Sequence, residues 1–349
     1  MTALLRAALA LLLLAAAPAA ALEVLVGAAE GVAPEALHAT LEAAGYTCVR
    51  DLLHGRVHVV PLAPGETVEG ACAAIEGLPG VRYCEANGTV RTQALPTDPF
   101  YVNRGGAEGQ AYLFQIQAAT AWATTTGDPG HPVVVAVVDT GVDLDHPDLA
   151  ANLDSGGINV TDPGRPPQDD DASQSHGTHI AGLIGAVWND QGIAGVDQFV
   201  DLLPVKVLSQ GSGTVDDVAA GIEQAVDAGA EVINASFGAT GQGEQTLCGA
   251  VDYAEQKGVI VVAAAGNTSD AVNGSGRDID SGDPADAEYP ASCPNANLIA
   301  VTAYDGGSFN SGWFNWGATS VDLAAPGTDL LSTGDPNLVA SYHTLTGTS

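Results

Sequence analysis

Short apolar runs recur along the second, longer part of this chain, and segments with helical spacing separate most of them. Runs of small and β-branched residues that are bounded by turn residues are typical of strands buried on both faces of a parallel sheet. Because strands and helices alternate, the pattern predicts a three-layer α/β/α fold with helices on both faces of a mostly parallel sheet. The predicted strands are Val133–Asp139, Leu202–Leu208, Val232–Ser236, Val259–Ala264 and Leu298–Thr302.

The first part of the chain, residues 22–93, has the pattern of a small α+β unit. Its predicted elements follow one another as strand, helix, strand, helix, strand. This order fits a ferredoxin-like domain. The predicted strands are Glu23–Gly27, Arg56–Val60 and Val81–Glu85, and the predicted helices are Pro34–Ala44 and Val68–Glu76.

Two further segments lie before and after this unit. Residues 1–21 combine Arg6, an apolar run and small residues up to Ala21, which is the pattern of a secretory signal peptide cleaved after Ala21. The apolar run is shorter than a typical membrane-spanning helix. We therefore expect a secreted, extracellular protein that has no membrane-spanning segment after the signal peptide is removed. The polar, proline-containing segment 87–103 predicts an exposed linker, and the larger domain then covers residues 94–349.

The charge of the chain is strongly acidic, with 42 acidic residues against 10 basic residues and a formal net charge of −32. Nucleic acids and anionic membranes would repel such a protein, so neither is an expected partner. The carboxylates are dispersed along the chain. This dispersion indicates solubility in a secreted or saline setting rather than an acidic binding tail.

The chain has five cysteines, so not all of them can pair with one another. At least one cysteine is free, is bonded to another chain, or has a partner outside this sequence. Export permits disulfides. Cys248 and Cys293 both lie in the later part of the chain, and a bond between them is one hypothesis. The other three are Cys48, Cys72 and Cys84.

Asp139 ends the apolar strand Val133–Asp139 and is followed by Thr140 and Gly141. A carboxylate at the carboxyl end of a buried strand lies at the edge where α/β sheets place their chemistry. Taken alone, Asp139 could equally well cap a turn.

A second polar block, Ser175–Gly185, contains His176. Its small residues allow a helix to lie close to a neighbour, with His176 at the first turn pointing out of the fold. His176 and His179 could instead bind a metal, but no HExxH pattern surrounds them. His146 and His343 are interpreted as surface or turn residues.

A third block, Gly347–Ser349, places a serine after a Gly-Thr pair. With Asp139 and His176 it completes an acid, a base and a hydroxyl in the chain order of one type of catalytic triad. Serine is a poor nucleophile at neutral pH, so histidine must take its proton and a buried aspartate must hold the imidazole in the right tautomer.

Together, the three blocks resemble the signatures of subtilisin-like serine proteases, from about Pro96 to the end of the chain. The small unit before them resembles the inhibitory propeptide of the same family. The resemblance implies a secreted, self-processing zymogen that hydrolyses polypeptides through an acyl-enzyme. It also implies that the propeptide assists folding, blocks the cleft and is removed within the linker.

The resemblance also implies roles for individual residues. Asp139 would orient His176, and His176 would be the general acid and base. Ser349 would be the nucleophile. Asn267 would donate a hydrogen bond to the oxyanion, although Asn267 considered alone could be a turn residue. Two extended segments would hold the substrate as an added strand, Gly211, Ser212 and Gly213 in one and Ser236, Phe237 and Gly238 in the other. Ala264, Ala265 and Gly266 would line the S1 pocket and favour an apolar or aromatic P1 residue.

Calcium is the ion that the resemblance implies, in a structural role, and no organic cofactor is expected. In the loop between Val187 and Ile193, either Asn189 or Asp190 could be the calcium ligand. Asp169, Asp170 and Asp171 could bind a second ion, but a solvated acidic loop is the preferred interpretation. The residues that resemble the family's calcium site are Asp98, Asp148, Val187, Asn189, Asp190 and Ile193.

The chain stops at Ser349, whereas members of the family continue into a helix of the Met-Ala-Ala-Pro-His type. That helix positions the serine and adds its dipole to the oxyanion site. We therefore expect the chain to be a C-terminally incomplete fragment that is inactive or nearly so.

Two other functions are considered. An aspartic protease could be inferred from Asp139-Thr140-Gly141, but it requires a second carboxylate in an equivalent turn and an all-β pattern, and this sequence has neither. A catalytically inactive, calcium-dependent secreted binding protein is the more serious alternative, because the chain ends at the nucleophile.

Overall fold

The computed structural model describes residues 22–87, 95–102, 109–268, 276–305 and 313–349. The chain divides into two compact units, residues 1–92 and residues 93–349. The predicted signal peptide, residues 1–21, and residues 88–94 and 103 of the predicted linker lie outside the described residues. Within the described ranges, none of the helices has the length and apolar composition needed to cross a membrane.

The N-terminal unit is a four-stranded antiparallel sheet in the order β2-β3-β1-β4. The strand–helix–strand–strand–helix–strand order is that of a ferredoxin-like fold, which confirms the predicted class. The pattern missed β2, because its residues Arg-Asp-Leu form no apolar run. The elements are β1 (Glu23–Ala28), α1 (Pro34–Ala43), β2 (Arg50–Leu52), β3 (Val57–Pro61), α2 (Val68–Glu76) and β4 (Val81–Ala86).

The core of this unit lies between the sheet and its two helices. Val24 and Val26 of β1 pack with Leu37 and Leu41 of α1, and all four are fully buried. A disulfide between Cys72 of α2 and Cys84 of β4 crosslinks the same unit.

The second unit is built on a seven-stranded, fully parallel sheet in the order β13-β12-β10-β8-β5-β7-β6. The five predicted strands are its centre, which confirms the predicted α/β class, and the edge strands β6 and β13 were not predicted. The sheet strands are β5 (Val134–Asp139), β6 (Ile158–Asn159), β7 (Asp201–Lys206), β8 (Val232–Ala235), β10 (Ile260–Ala264), β12 (Leu298–Tyr304) and β13 (Leu323–Pro326).

Shorter strands and the helices complete this unit. Two antiparallel pairs lie outside the main sheet, β9 (Ala239–Thr240) with β11 (Glu288–Tyr289) and β14 (Leu330–Thr333) with β15 (Tyr342–Leu345). The helices are α3 (Pro99–Val102), α4 (Ala111–Gln115), α5 (Ala118–Trp122), α6 (His176–Gly185), α7 (Val215–Asp227) and α8 (Glu244–Lys257).

Helices lie on both faces of the parallel sheet. Ala136 and Val138 of β5 pack in the same cluster as α7 and α8, whereas Val137 between them packs with Ile180 and Ala181 of α6 on the other face. This alternation follows from the two-residue period of a strand. Beside α6, the second face carries an apolar groove of about 600 Å³, bordered by residues of α6, β10, β12 and β13.

The cysteine pairing accounts for the odd number of cysteines. Cys248 of α8 is bonded to Cys293, 45 residues later, which confirms the hypothesis drawn from the sequence. With Cys72 bonded to Cys84, Cys48 is the one free thiol.

Candidate active site

The candidate site lies where three adjacent strands of the parallel sheet end. Asp139 is the last residue of β5, Ser236 follows β8, and Asn267 follows β10 by three residues. Because neighbouring parallel strands end at the same edge, the sheet order β10-β8-β5 brings these residues together.

Asp139 and His176 form a buried hydrogen-bonded pair. His176 begins α6, and its Nδ1 lies 2.9 Å from both Oδ1 and Oδ2 of Asp139. Asp139 is fully buried, and the His176 side chain is 17% exposed. A Cβ atom at Gly177 would lie only 2.1 Å from the carbonyl oxygen of Gly141, so this glycine allows the start of α6 to approach the end of β5.

The electrostatic surroundings of His176 favour its protonated form. Burial alone would lower the pKa of His176, but the charge of Asp139 and its hydrogen bond outweigh burial and raise that pKa overall. Asp171 and Asp169 act in the same direction over a longer distance. The site can therefore stabilise an imidazolium.

The interpretation of the acidic run 169–171 as a solvated loop is wrong, because Asp169 and Asp171 are 4% and 3% exposed. Asp169 accepts hydrogen bonds from the hydroxyls of Thr140, Ser175 and Thr178 at 2.9, 3.0 and 2.5 Å. The carboxylate therefore ties the end of β5 to the start of α6, although burial raises its pKa.

Asp170, between these two, is linked to a buried cation that the sequence analysis did not single out. Lys206, at the end of β7, is 4% exposed, and its Nζ lies 2.7 Å from Asp170 Oδ1 and 2.9 Å from the carbonyl oxygen of Leu208. The carboxylate of Asp170 also accepts hydrogen bonds from Ser209 Oγ at 2.7 Å and from the Gln210 backbone N–H at 3.0 Å. Lys206 and Asp170 thus anchor the segment that precedes Gly211.

The segment 347–349 is held by the residues that follow β10. The backbone N–H of Thr348 donates to Asn267 Oδ1 at 3.1 Å, and Thr348 Oγ1 accepts from the Gly266 N–H at 3.0 Å. The hydroxyl of Ser349 donates to the carbonyl oxygen of Ser236 at 3.2 Å. His176, Asn267 and Ser349 line one small cavity of about 160 Å³.

Six of the nine predicted substrate-binding residues line one open cleft of about 570 Å³, which His176 also lines. Its two sides are the segment after β7 and the segment after β8. Within the first segment, the backbone N–H groups of Ser209 and Ser212 each donate to the other's carbonyl oxygen, at 2.8 and 3.1 Å. The six residues are Gly211, Ser212, Gly213, Ser236, Phe237 and Gly238.

The remaining three, Ala264, Ala265 and Gly266, are not among the described residues that line this cleft. Ala264 and Ala265 are buried at the end of β10. Glu288, which was not predicted from the sequence, is 5% exposed and lies close to Gly238 of one substrate-binding segment and to Gly266 of the expected S1 pocket. A Cβ atom at Gly238 would lie 1.9 Å from Glu288 Oε1, and one at Gly266 would lie 2.9 Å from its Cδ.

The predicted calcium-binding residues also come together. Asp98 and Asp148 are fully buried, and the loop after α6 contacts both. Asn189 donates its backbone N–H to Asp98 Oδ1 at 3.0 Å and its amide to Asp148 Oδ1 at 3.2 Å. The Ile193 N–H donates to Asp148 Oδ2 at 3.0 Å, and the Val187 N–H donates to the Asp148 carbonyl oxygen at 2.7 Å.

The side chain of Asp190 has a different partner, because its Oδ1 accepts a hydrogen bond from the Thr97 hydroxyl. Asn189, rather than Asp190, therefore contacts the two buried carboxylates, through its side-chain amide to Asp148 and its backbone N–H to Asp98. Asp98 Oδ2 is buried and has no hydrogen-bond partner in the described part of the chain. An unpartnered carboxylate oxygen beside a second carboxylate fits a hard cation such as calcium.

His146 is buried rather than at the surface, since it is 1% exposed. Its Nδ1 accepts the Asp148 N–H at 3.1 Å, so its Nε2 carries the proton and donates to the Ser341 carbonyl oxygen at 3.2 Å. The imidazole therefore positions the backbone of Asp148. The signal for this was its place in the His-Pro-Asp sequence, two residues before a predicted ligand.

Two family profiles match the chain in its two units. The profile of the subtilase family, Peptidase S8, matches residues 130–349, and that of the fervidolysin N-terminal prodomain matches residues 22–87.

Individual relatives agree with these profiles. A thermophilic serine proteinase of Bacillus sp. (strain AK1) is 36% identical over 334 residues, which cover 94% of this chain and 74% of the relative. Thermitase of Thermoactinomyces vulgaris is 39% identical over 256 residues, or 73% of this chain and 80% of the relative. A halolysin-like extracellular serine protease of Natrialba magadii is 36% identical over 279 residues, or 77% of this chain and 45% of the relative.

Proposed function

Because the chain belongs to the subtilase family of serine proteases and carries a fervidolysin-like prodomain, we propose that it is a secreted serine endopeptidase made as a self-processing zymogen. The observation that carries this proposal is the Asp139–His176 pair, with Nδ1 2.9 Å from both carboxylate oxygens, beside a cavity that His176 shares with Ser349 and Asn267.

In the first step, the Ser349 hydroxyl turns from the Ser236 carbonyl toward His176. Because Nδ1 of His176 donates to Asp139, Nε2 is the basic nitrogen, and it takes the proton as Ser349 Oγ attacks the substrate carbonyl carbon. The buried carboxylate of Asp139 stabilises the imidazolium that forms. The imidazolium then protonates the leaving amine, and water hydrolyses the acyl-enzyme by the reverse use of the same groups.

Asn267 meets the charge that develops on the carbonyl oxygen. Its Oδ1 is held by the Thr348 N–H at 3.1 Å, which leaves the two N–H donors of the amide for the cavity. A fixed donor that meets charge only in the transition state typically lowers the barrier by about 3 kcal/mol.

The substrate would bind in the open cleft as an extended strand between Gly211–Gly213 and Ser236–Gly238. Backbone pairing of this kind provides affinity with little sequence choice, which suits an endopeptidase that acts on many polypeptides.

The N-terminal unit would act as an intramolecular inhibitor, since the profile that matches residues 22–87 is that of a prodomain. Asp98, Asp148 and the Asn189 loop would hold a structural calcium ion. The unpartnered Oδ2 of Asp98 supports this assignment. The ion would supply positive charge between two buried carboxylates and take no part in the chemical step.

The test is to express the complete gene product beside its Ser349→Ala variant in the presence of calcium. We expect the natural protein to lose its N-terminal unit and hydrolyse casein, and the variant to do neither. A serine-directed phosphonylating reagent should label the natural protein at Ser349. Equal processing and hydrolysis by both forms would exclude Ser349 as the nucleophile, and inactivity of both would favour a calcium-dependent binding protein.

A further inference from the structure

Three side chains that commonly bind transition metals meet in the N-terminal unit. His38 lies on α1, Cys48 in the segment between α1 and β2, and His58 on β3. The potential ligand atoms of the three residues all lie within 4.8 Å of one another. These residues are far from the candidate active site in sequence and belong to the other compact unit.

His58 has the environment of a metal ligand. It is 1% exposed, and its Nε2 is buried with no hydrogen-bond partner among the residues that the structure describes. In register, His58 is opposite Val26 of β1, so its side chain lies on the helix-covered face of the sheet. A buried polar atom without a partner is costly in free energy, and binding an ion is one of the few ways to satisfy it.

The other ring nitrogen of His58, Nδ1, already has a hydrogen-bond partner. Its Nδ1 lies 2.7 Å from Oδ1 of Asp51, the residue opposite it on β2. This bond fixes the proton on Nδ1 and leaves the lone pair on Nε2. A carboxylate bonded in this way to one imidazole nitrogen is the usual support of a histidine that binds metal through the other nitrogen.

The ligand set indicates which metals the site would take. Cys48 is the free thiol of the chain, and a thiolate with two imidazoles suits zinc and related borderline divalent ions rather than calcium or magnesium. Glu42, whose carboxylate is 3.3 Å from His38 Nε2, or a water molecule could occupy a fourth position. The neighbouring cavity of about 420 Å³ is also lined by Glu35 and Asp51, which add negative charge.

We propose that His38, Cys48 and His58 form a site for a divalent transition metal of the zinc class, with Asp51 orienting His58. Ligand atoms around a tetrahedral zinc ion lie roughly 3.5 Å apart, so small side-chain rotations would close the site. His38 and Cys48 are only partly buried and can make them.

A metal at this site would crosslink α1, β3 and the segment that leads to β2. The N-terminal unit is small, and small domains commonly need a disulfide or a metal in addition to their core. The disulfide Cys72–Cys84 joins α2 to β4 and leaves α1 without a crosslink. The metal would therefore stabilise the half of the unit that the disulfide does not reach.

The experiment uses cobalt(II) as a spectroscopic probe in the complete protein with Ser349→Ala, so that the N-terminal unit stays attached, and with excess calcium. We expect one equivalent of cobalt to give a thiolate-to-metal charge-transfer band in the near ultraviolet, which zinc then abolishes by displacement. Because the other four cysteines of residues 1–349 are in disulfides, we assign this band to Cys48, and the Cys48→Ser variant tests the assignment.

The variants separate the site from its surroundings. Cys48→Ser should abolish the band, and His38→Gln should weaken cobalt binding at least about tenfold. His54→Asn is the matched control, because His54 is an exposed histidine that lines the same cavity but is not one of the three ligands. It should leave binding unchanged.

A second measurement avoids any substitution of the buried His58. Zinc should slow alkylation of Cys48 by iodoacetamide in the parent protein and in His54→Asn, but not in His38→Gln. The absence of a charge-transfer band, or equal alkylation rates with and without zinc in the parent protein, would overturn the proposal. Neither readout depends on proteolytic activity, so the metal site and the proposed function fail independently.

Discussion

Nδ1 of His176 lies 2.9 Å from each carboxylate oxygen of Asp139, where the buried end of β5 meets the first turn of α6. Burial opposes protonation of the imidazole, but the charge and hydrogen bond of Asp139 outweigh it, so the pKa of His176 lies above its ordinary value of about 6.5. A general base must be neutral. Activity should therefore increase with pH, with a midpoint above about 6.5.

Asp139→Asn should shift this midpoint to lower pH, because it removes the charge that raises the pKa of His176. It should also reduce kcat by about 10⁴-fold, the loss seen when an amide replaces the triad carboxylate in another serine protease. The measurement is the pH profile of kcat/KM for a peptide substrate. Asp145→Asn, at an exposed carboxylate six residues later, is the control and should change neither quantity. An unshifted midpoint in Asp139→Asn would contradict the assignment.

Two substitutions can separate the two roles proposed for Asn267. Its Oδ1 accepts the Thr348 N–H, and its amide N–H groups remain for the oxyanion. Asn267→Asp keeps the acceptor and loses the donors, whereas Asn267→Ala loses both. We expect each to lower kcat by about 10²- to 10³-fold with little change in KM, measured with a chromogenic peptide. If Asn267→Asp retained full kcat, the role of Asn267 would be to hold Thr348.

The strands of the parallel sheet were predictable because burial on both faces leaves an uninterrupted apolar run, as in Val133–Asp139. Strand β2 was not, since it lies at the edge of its sheet and only Leu52 of its three residues is apolar. The residues proposed as catalytic each lie in a short local motif: Asp139 ends β5, His176 begins α6, and Ser349 follows β15 by four residues.

Contacts between distant parts of the chain left no signal in the sequence. The run 169–171 looked like a solvated acidic loop, but Asp169 is surrounded by hydroxyls, one of them from Thr140. Lys206, at the end of β7, meets the carboxylate of Asp170, 36 residues earlier in the chain. Glu288 is 50 residues from Gly238, and only the folded chain brings its carboxylate to the substrate-binding segments.

Asp170 anchors one side of the substrate cleft through Ser209 Oγ and the Gln210 N–H. Burial would raise the pKa of Asp170, but its bonds to Lys206 and to these groups lower it overall, so it is ionised at neutral pH. Asp170→Asn should loosen the segment 209–213 and raise KM roughly 5- to 30-fold, which corresponds to about 1–2 kcal/mol, with a smaller change in kcat. Steady-state kinetics test this against Asp162→Asn, an exposed carboxylate. A loss confined to kcat would show that Asp170 acts on the catalytic residues instead.

The position of Glu288 leads us to predict a different P1 residue from the one expected from the sequence. An apolar P1 was expected from Ala264–Gly266, but the buried Glu288 carboxylate lies between Gly238 and Gly266, where it can pair with a basic side chain. Burial raises the pKa of Glu288, although the Thr240 hydrogen bond and Arg277 oppose this effect. Preference for P1 Lys or Arg over Phe should therefore grow as pH rises through this raised pKa.

Glu288→Gln should lower the ratio of kcat/KM for P1 Lys to that for P1 Phe by about tenfold or more, since a hydrogen bond between charged groups is lost. Paired peptide substrates that differ only at P1 give this ratio directly. Glu223→Gln, at an exposed position on α7, is the control. If both variants keep the natural ratio, Glu288 does not face the substrate, and the expectation of an apolar P1 stands.

Calcium should stabilise the second unit through Asp98, whose buried Oδ2 has no hydrogen-bond partner in the described ranges. A ligand that binds only the folded state at 100 times its Kd adds about 2.7 kcal/mol to the free energy of unfolding. The Tm should therefore rise with calcium in the natural protein. In Asp98→Asn, which conserves side-chain volume but removes the charge, we expect most of this rise in Tm to disappear.

Asp190→Asn tests which of the two candidate loop residues lies at the ion, because the Asp190 side chain bonds to Thr97 while Asn189 contacts Asp98 and Asp148. It should keep the calcium-dependent rise. If Asp190→Asn instead lost the rise and Asp98→Asn kept it, the ion would bind at the outside of the loop rather than between the buried carboxylates.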